Sequence, residues 1–246
     1  MPAPRPASSH EKSREQLTTL EELIPGTDTT DLISDENLQL LVSTRESSKI
    51  MEGTTGSNPA AFADYIYSDW ESRTPLQEAF KDQVVIDLGA GMSPSGYLIA
   101  DRAGAKGYIG VDLYHSARLA EMIESLRDPE SHIVRRIKEA PAPVDTVNVV
   151  PLETKYLAVE EDMLTFLKRL PDKSVSVLCS GIDFAIIKQP YYEGQVIQEI
   201  KRVLRPEGSY VGGDEEHIVP NPGEFQVRST RKVAIYRPKS VDDSSG

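Results

Sequence analysis

Between Val84 and Gly212 short apolar runs alternate with helix-length amphipathic patterns, and this alternation restricts the chain to a mostly parallel sheet with helices on its faces. Val84 to Leu88 (VVIDL) has the near-continuous apolar character of a strand buried on both sides. Further strands are read at Tyr108 to Leu113, Tyr156 to Val159, Val175 to Cys179 and Ser209 to Gly212. The helices between them are read at Pro94 to Ala103, Ser116 to Leu126, Met163 to Leu170 and Tyr192 to Leu204. The second of these presents Ala117, Ala120, Ile123 and Leu126 near one face, and the last is ended by Pro206 and Gly208. Phe225 to Ser229 and Lys232 to Tyr236 alternate and lie close together, as the two arms of a hairpin do. The expected architecture is α/β: a doubly wound, mostly parallel seven-stranded sheet with a C-terminal antiparallel hairpin, plus an N-terminal helical cap.

The cap is expected from residues 31–80. Leu32 to Met51 and Pro59 to Trp70 have helical patterns, separated by the Gly53 to Pro59 break. Residues 1–30 are rich in Pro, Ser, Thr and charge and read as a disordered tail, with a short helix between Arg14 and Leu23 stopped by Pro25-Gly26. The main domain is expected over 81–238, followed by a disordered tail over 239–246. Within that domain the stretch 129–155 is longer than a simple connector and carries Pro129, Pro141, Pro143 and Pro151. No internal repeat is visible.

Charge and cysteine content narrow the function classes. The formal net charge is −12, and basic residues form only small clusters such as Arg135-Arg136. Polyanions bind through basic surface that displaces counterions, so a nucleic-acid partner is disfavoured. No apolar run approaches the roughly 20 residues that span a bilayer, which speaks against a membrane partner. The N-terminal stretch MPAPRPASSHEKSREQ has no apolar core of a secretory signal. A lone cysteine, Cys179, allows no intrachain disulfide and no cysteine-clustered metal site, and in its apolar strand it reads as a small core residue. These absences lead to an expected cytoplasmic location.

In an open parallel sheet, ligands bind beyond the carboxyl ends of the strands, near the switch in strand order. The turn after the first strand reads Asp87-Leu88-Gly89-Ala90-Gly91-Met92-Ser93-Pro94-Ser95-Gly96. Glycines at 89 and 91 permit unusual backbone angles and close approach of a ligand. A dinucleotide site wants a third glycine at position 94, where this chain has proline. Asp87, two residues before the first glycine, would repel a pyrophosphate and suit an ammonium or sulfonium group. A second acid, Asp112, follows 25 positions later at the end of the second strand, where a carboxylate can accept from both ribose hydroxyls. A third, Asp162, closes the third strand and is also well placed as the N-cap of the helix that follows.

The set Asp87-x-Gly89-x-Gly91, Asp112, Asp162-Met163, the lead-in Leu170-Pro171-Asp172-Lys173-Ser174-Val175 and Ile200 to Gly208 (IKRVLRPEG) resembles the class I, Rossmann-like, S-adenosylmethionine-dependent methyltransferases over roughly Val84 to Arg237. That resemblance implies S-adenosyl-L-methionine as cofactor and methyl transfer to a small-molecule or protein acceptor. It implies Asp87 near the methionine amino end, Gly89, Ala90 and Gly91 lining the cofactor's passage, and Asp112 with Leu113 at the ribose. It further implies Asp162 and Met163 at the adenine, and Ser180 at the fourth strand end. Where relatives that methylate base amines or glutamine amides carry Asn/Asp-Pro-Pro-Tyr/Phe, this chain has Ser180-Gly181-Ile182-Asp183, which removes the main reason to expect those acceptors. The passage Asp214 to Gly223 is short for the helix the family usually has there.

A sulfonium methyl is already activated, so a general base is needed only for an acceptor that must lose a proton early. Candidate bases are His217 and Asp183, with Glu215 and Glu216 beside them. Loop position makes a surface role for His217 the plain alternative, and a capping role does the same for Asp183. Tyr65, Trp70, Tyr191 and Tyr192 can wall an acceptor pocket or simply pack, and His115 follows Asp112 closely. No metal site is expected. The competing readings are a non-catalytic domain that keeps the fold to bind a partner, and aminopropyl transfer on the same fold, whose Gly-Gly-Gly-Asp-Gly signature is absent. A nicotinamide-dependent oxidoreductase remains as a further alternative, weakened by Pro94.

Overall fold

The computed structural model describes residues 19–29, 70–113, 115–131, 134, 152–179, 190–213, 223–229 and 233–239. The helices expected at Leu32 to Met51 and Pro59 to Trp70 fall outside these residues, apart from Trp70 itself, as does most of 129–152. The described elements run α1 (Leu20–Leu23), α2 (Trp70–Phe80), β1 (Val84–Leu88), α3 (Ser95–Arg102), β2 (Gly107–Asp112), α4 (Ser116–Arg127), β3 (Lys155–Glu160), α5 (Met163–Arg169), β4 (Ser176–Cys179), α6 (Pro190–Val203), β5 (Tyr210–Gly213), β6 (Phe225–Ser229) and β7 (Val233–Pro238).

The strands form one seven-stranded sheet in the order β3-β2-β1-β4-β5-β7-β6. β1 pairs in parallel with both β2 and β4, so strand order reverses direction at β1. The last two strands are antiparallel, β6 against β7 and β7 against β5. This is the expected doubly wound sheet with its terminal hairpin.

Period-two alternation divides β1 between two cores. Val84, Ile86 and Leu88 face α1, α5 and α6, while Val85 faces α2, α3 and α4. In α6 the buried residues Tyr192, Val196, Ile200 and Val203 follow helical spacing. In α4 the buried positions are Leu119, Ile123 and Leu126. Leu119 thus takes the place that Ala117 and Ala120 were expected to fill: Gly110 on β2 leaves a groove for it, since a Cβ there would lie 2.4 Å from Leu119 Cδ2.

The short helix expected to stop at Pro25-Gly26 is described in its last turn: Thr19 caps α1 by accepting from the Glu22 N–H at 3.2 Å, and Leu23 and Ile24 are buried. Their apolar side chains outweigh the polar composition of the stretch around them. Helix is also present over Trp70–Phe80, beyond the end expected at Trp70. α2 carries Pro75 inside it, which removes one interior hydrogen bond. It persists because Leu76, Ala79 and Phe80, all fully buried, anchor it against the sheet.

Candidate functional site

Three residue sets meet at the carboxyl edge of β1, β2 and β3. The first is the turn leaving β1. Gly89 and Gly91 have φ of 70° and 59°, the left-handed region where a side chain is strained. The Gly89 and Ala90 N–H groups donate to the Val111 carbonyl at 2.9 and 3.2 Å, which ties the turn to the end of β2. Among the described residues nothing lies within 4 Å of where a Cβ on Gly91 would stand, so the backbone there is bare of them.

The second set is the end of β2. The Gly91 N–H donates to Asp112 Oδ2 at 3.1 Å. The acid thereby holds the turn, and the turn fixes the carboxylate's orientation. Leu113 beyond it is half-buried and packs against the core below. His115 stands at the N-cap position of α4 without capping it through its side chain.

The third set is the end of β3. The Glu161 N–H donates to the Asp112 carbonyl at 3.1 Å, joining the two strand ends. Asp162 is buried and caps α5: its Oδ1 accepts from the Thr165 N–H at 2.9 Å and from the Thr165 hydroxyl at 3.1 Å. Its Oδ2 accepts from the Tyr192 hydroxyl of α6 at 2.5 Å. Burial first, then the Asp162 charge and hydrogen bond, push the Tyr192 phenol far above its ordinary value, so it stays a donor. Met163, also buried, begins α5 beside it. Burial raises the pKa of Glu161 despite its ion pair with Arg169 at 2.9 Å.

Asp87 lies beneath the turn. Its side chain is fully buried on the face covered by α3 and accepts from the Tyr108 hydroxyl at 2.9 Å. The register explains the reach. Asp87 is paired with Gly110, and a Cβ at 110 would stand 3.1 Å from the Tyr108 hydroxyl oxygen. Glycine there clears the path from Tyr108 to Asp87. Gly96 on α3 is required for the same reason, since its Cβ would fall 1.9 Å from Asp87 Oδ2. Desolvation first, then the Asp87 charge, drive the Tyr108 phenol well above its ordinary range.

Thus Gly89, Ala90, Gly91, Asp112, Leu113, Asp162 and Met163 gather along one edge, and Asp87 supports that edge from inside the domain. Ser180, Asp183, Glu215, Glu216, His217 and Tyr65 lie outside the described residues, as does the side chain of Trp70. Cys179 is buried, as expected of a core residue. Of the paired tyrosines, Tyr191 is 88% exposed while Tyr192 turns inward to Asp162. Sequence reading missed the roles of Tyr108 and Tyr192. Tyr108 shares its strand parity with Gly110 and Asp112, a polar ring in a buried strand, and that was the available signal. Among the described residues no group of side chains is arranged to hold a metal ion.

Chemically, Asp87, Asp112, Glu160, Glu161 and Asp162 concentrate negative charge at or just under one sheet edge. Such a field favours a cationic or hydroxyl-bearing ligand and opposes a pyrophosphate. A carboxylate offers about four acceptor sites, so Asp112 can hold Gly91 and take ribose hydroxyls together.

No protein-family model matches the chain, and no curated protein does. Solved structures resemble it at low identity. A SAM-dependent methyltransferase from Aquifex aeolicus has 13% identity and a TM-score of 0.43, over 74% of this chain and 97% of that one. An rRNA methylase from Streptococcus thermophilus has 11% identity and a TM-score of 0.42, over 69% and 95%. A TehB-like SAM-dependent methyltransferase from Corynebacterium glutamicum has 14% identity and a TM-score of 0.39, over 83% and 97%.

Proposed function

We propose that this chain binds S-adenosyl-L-methionine across the carboxyl edge of β1, β2 and β3 and transfers its methyl group to a small-molecule or protein acceptor in the cytoplasm. One observation carries the reading: the Gly91 N–H is held by Asp112, so the bare glycine turn and the ribose-type carboxylate form one rigid unit at the switch point of the sheet. The buried charge at Asp87 and the acids at the end of β3 add a field suited to a sulfonium nucleoside. Pro94, standing where a dinucleotide site needs glycine, opposes the nicotinamide alternative.

In this reading Gly89, Ala90 and Gly91 admit the methionine portion, and Asp112 with Leu113 takes the ribose. Asp162 and Met163 border the adenine, and Ser180 flanks the fourth strand end. When bound, the cofactor supplies a methyl group already activated as a leaving partner of sulfur. The chain's own residues hold it in line with the acceptor, and His217 or Asp183 serves as base where the acceptor requires one. The net charge of −12 disfavours a nucleic-acid acceptor.

Calorimetric titration of the full chain with S-adenosylhomocysteine tests this. Saturable binding is expected, weakened at least about tenfold by Asp112→Ala, because a charge-assisted contact contributes roughly 1.5–3 kcal/mol. No heat at millimolar ligand, or tighter binding of reduced nicotinamide dinucleotide, refutes the reading.

A further inference from the structure

The opposite edge of the sheet carries a feature that methyl transfer does not use. Where the chain enters β1, β2 and β4 and passes from α6 toward β5, the loops surround a cleft of about 300 Å³. Lys106, Lys173 and Arg205 line it, against a single acid, Asp82. Among the described residues none of these three cations forms an ion pair. The chain as a whole carries −12, so a local excess of positive charge is against the prevailing composition.

The cleft is built by the fold. The Lys106 N–H donates to the Gln83 carbonyl at 2.8 Å, Lys173 to Arg202 at 3.0 Å, and Arg205 to Val175 at 3.1 Å. Each cation therefore hangs from a backbone position pinned by the sheet's own ends. Asp82 and Lys173 have φ of 59° and 55°, and they are the non-glycine residues with positive φ among those described. Both border this cleft, and left-handed backbone at a non-glycine residue costs about 1 kcal/mol or more. One wall is apolar, from Leu23, Pro25 and Val84. That wall is seated closely, since a Cβ on Gly107 would lie 2.8 Å from Leu23 Cδ2.

We infer that the amino edge of the sheet is a second binding site, taking a small phosphorylated molecule whose apolar part rests on the Leu23 and Pro25 wall. Three cations less the one acid, Asp82, match the charge of about −2 on a phosphate monoester, and a pocket of this volume suits a small organic ligand. A long polyanion is disfavoured, because the surrounding surface repels it beyond the roughly 8 Å reach of screening at physiological salt. The site lies across the sheet from the glycine turn, so its occupancy is independent of S-adenosylhomocysteine binding.

The test titrates the full chain with inorganic phosphate and with phenyl phosphate at constant ionic strength. Saturable binding of both is expected, with phenyl phosphate tighter by several-fold. The double variant Lys173→Met, Arg205→Met should weaken both at least about tenfold, while Arg118→Met on α4 should change neither. Gly107→Ala, which displaces the apolar wall, should remove the preference for phenyl phosphate and leave inorganic phosphate bound. Melting curves and unchanged S-adenosylhomocysteine binding show that the variants are folded; if the wild type binds no S-adenosylhomocysteine, melting curves serve alone. Absence of saturable binding, or equal losses in the double variant and Arg118→Met, overturns the inference.

Discussion

Gly96→Ala separates helix propensity from the geometry beneath the glycine turn. Gly96 is the second residue of α3, where exchanging glycine for alanine ordinarily stabilises by about 0.5–1 kcal/mol. Here the new Cβ would stand 1.9 Å from Asp87 Oδ2 and 2.8 Å from its Cγ. The carboxylate must retreat by roughly 1 Å in a region packed to crystal-like density. It is fully buried and held by Tyr108, so the retreat also lengthens that hydrogen bond. Overpacking costs about 1–3 kcal/mol, and a weakened bond to a buried carboxylate about 1–3 more. The net expectation is a loss of about 3 kcal/mol, or on the order of 10 °C in melting temperature at roughly 2–4 °C per kcal/mol. Calorimetric melting at pH 7 measures it. In an Asp87→Ala background the obstruction is gone, and Gly96→Ala should become neutral or stabilising, a coupling that reverses sign. An unchanged or raised melting temperature for Gly96→Ala alone would refute the placement of Asp87 under α3.

Other outcomes follow from the same geometry. Tyr192→Phe removes the donor to Asp162 Oδ2, and should lower stability by about 1–3 kcal/mol and weaken S-adenosylhomocysteine several-fold, read by melting and calorimetry. Burial holds the Glu161 carboxyl above its ordinary value of 4.5, so its contribution is intact below that value and is lost as pH rises through the folded pKa. Melting temperatures of wild type should therefore fall relative to Glu161→Gln as pH climbs above about 4.5; a constant difference would contradict the burial of that carboxyl. The phenols of Tyr108 and Tyr210 are raised well above 10.0 by burial, so stability should hold below pH 10 and decline above it as only the unfolded chain ionises. Ultraviolet titration should show these phenols ionising only with unfolding.

The sheet was legible because its signal is local. Val84 to Leu88, flanked by a glycine turn, has few alternatives to a central strand, and strand parity then places Asp87 and Val85 on the face opposite Ile86. The partnerships across strands were not legible. That Gly91 is held by Asp112 depends on the register of β1 on β2, and that Tyr192 reaches Asp162 depends on how α6 lies over α5. Neither follows from spacing along one chain. The α4 face was misread for a related reason: Leu119 is buried because Gly110, nine residues earlier on another element, leaves space for it. The helix at Trp70–Phe80 was hidden by Pro75, whose local cost is met by burial of Leu76 and Phe80 that only the folded sheet provides.

Acids gather at strand ends, with Asp112 closing β2, Glu160 closing β3, and Glu161 and Asp162 following it. Strand starts mix signs, with Lys106, Lys155, Lys173 and Arg205 near Asp82, Glu153, Asp172 and Glu207, but in the cleft three cations face a single acid. A parallel sheet has only a small net dipole of its own, so this separation is a property of the side chains and not of the backbone. Solvent screening over about 8 Å keeps the two edges from cancelling each other across parallel strands of four to six residues, about 13–20 Å long. The glycine-turn edge and the cleft therefore each present their own sign to a ligand. Neutralising Asp112 should alter affinity for a cationic nucleoside without touching phosphate binding, and neutralising Lys173 with Arg205 should do the converse. A mutual effect larger than twofold would mean that the edges communicate through the strands by packing, which the separate, backbone-pinned seating of each group argues against.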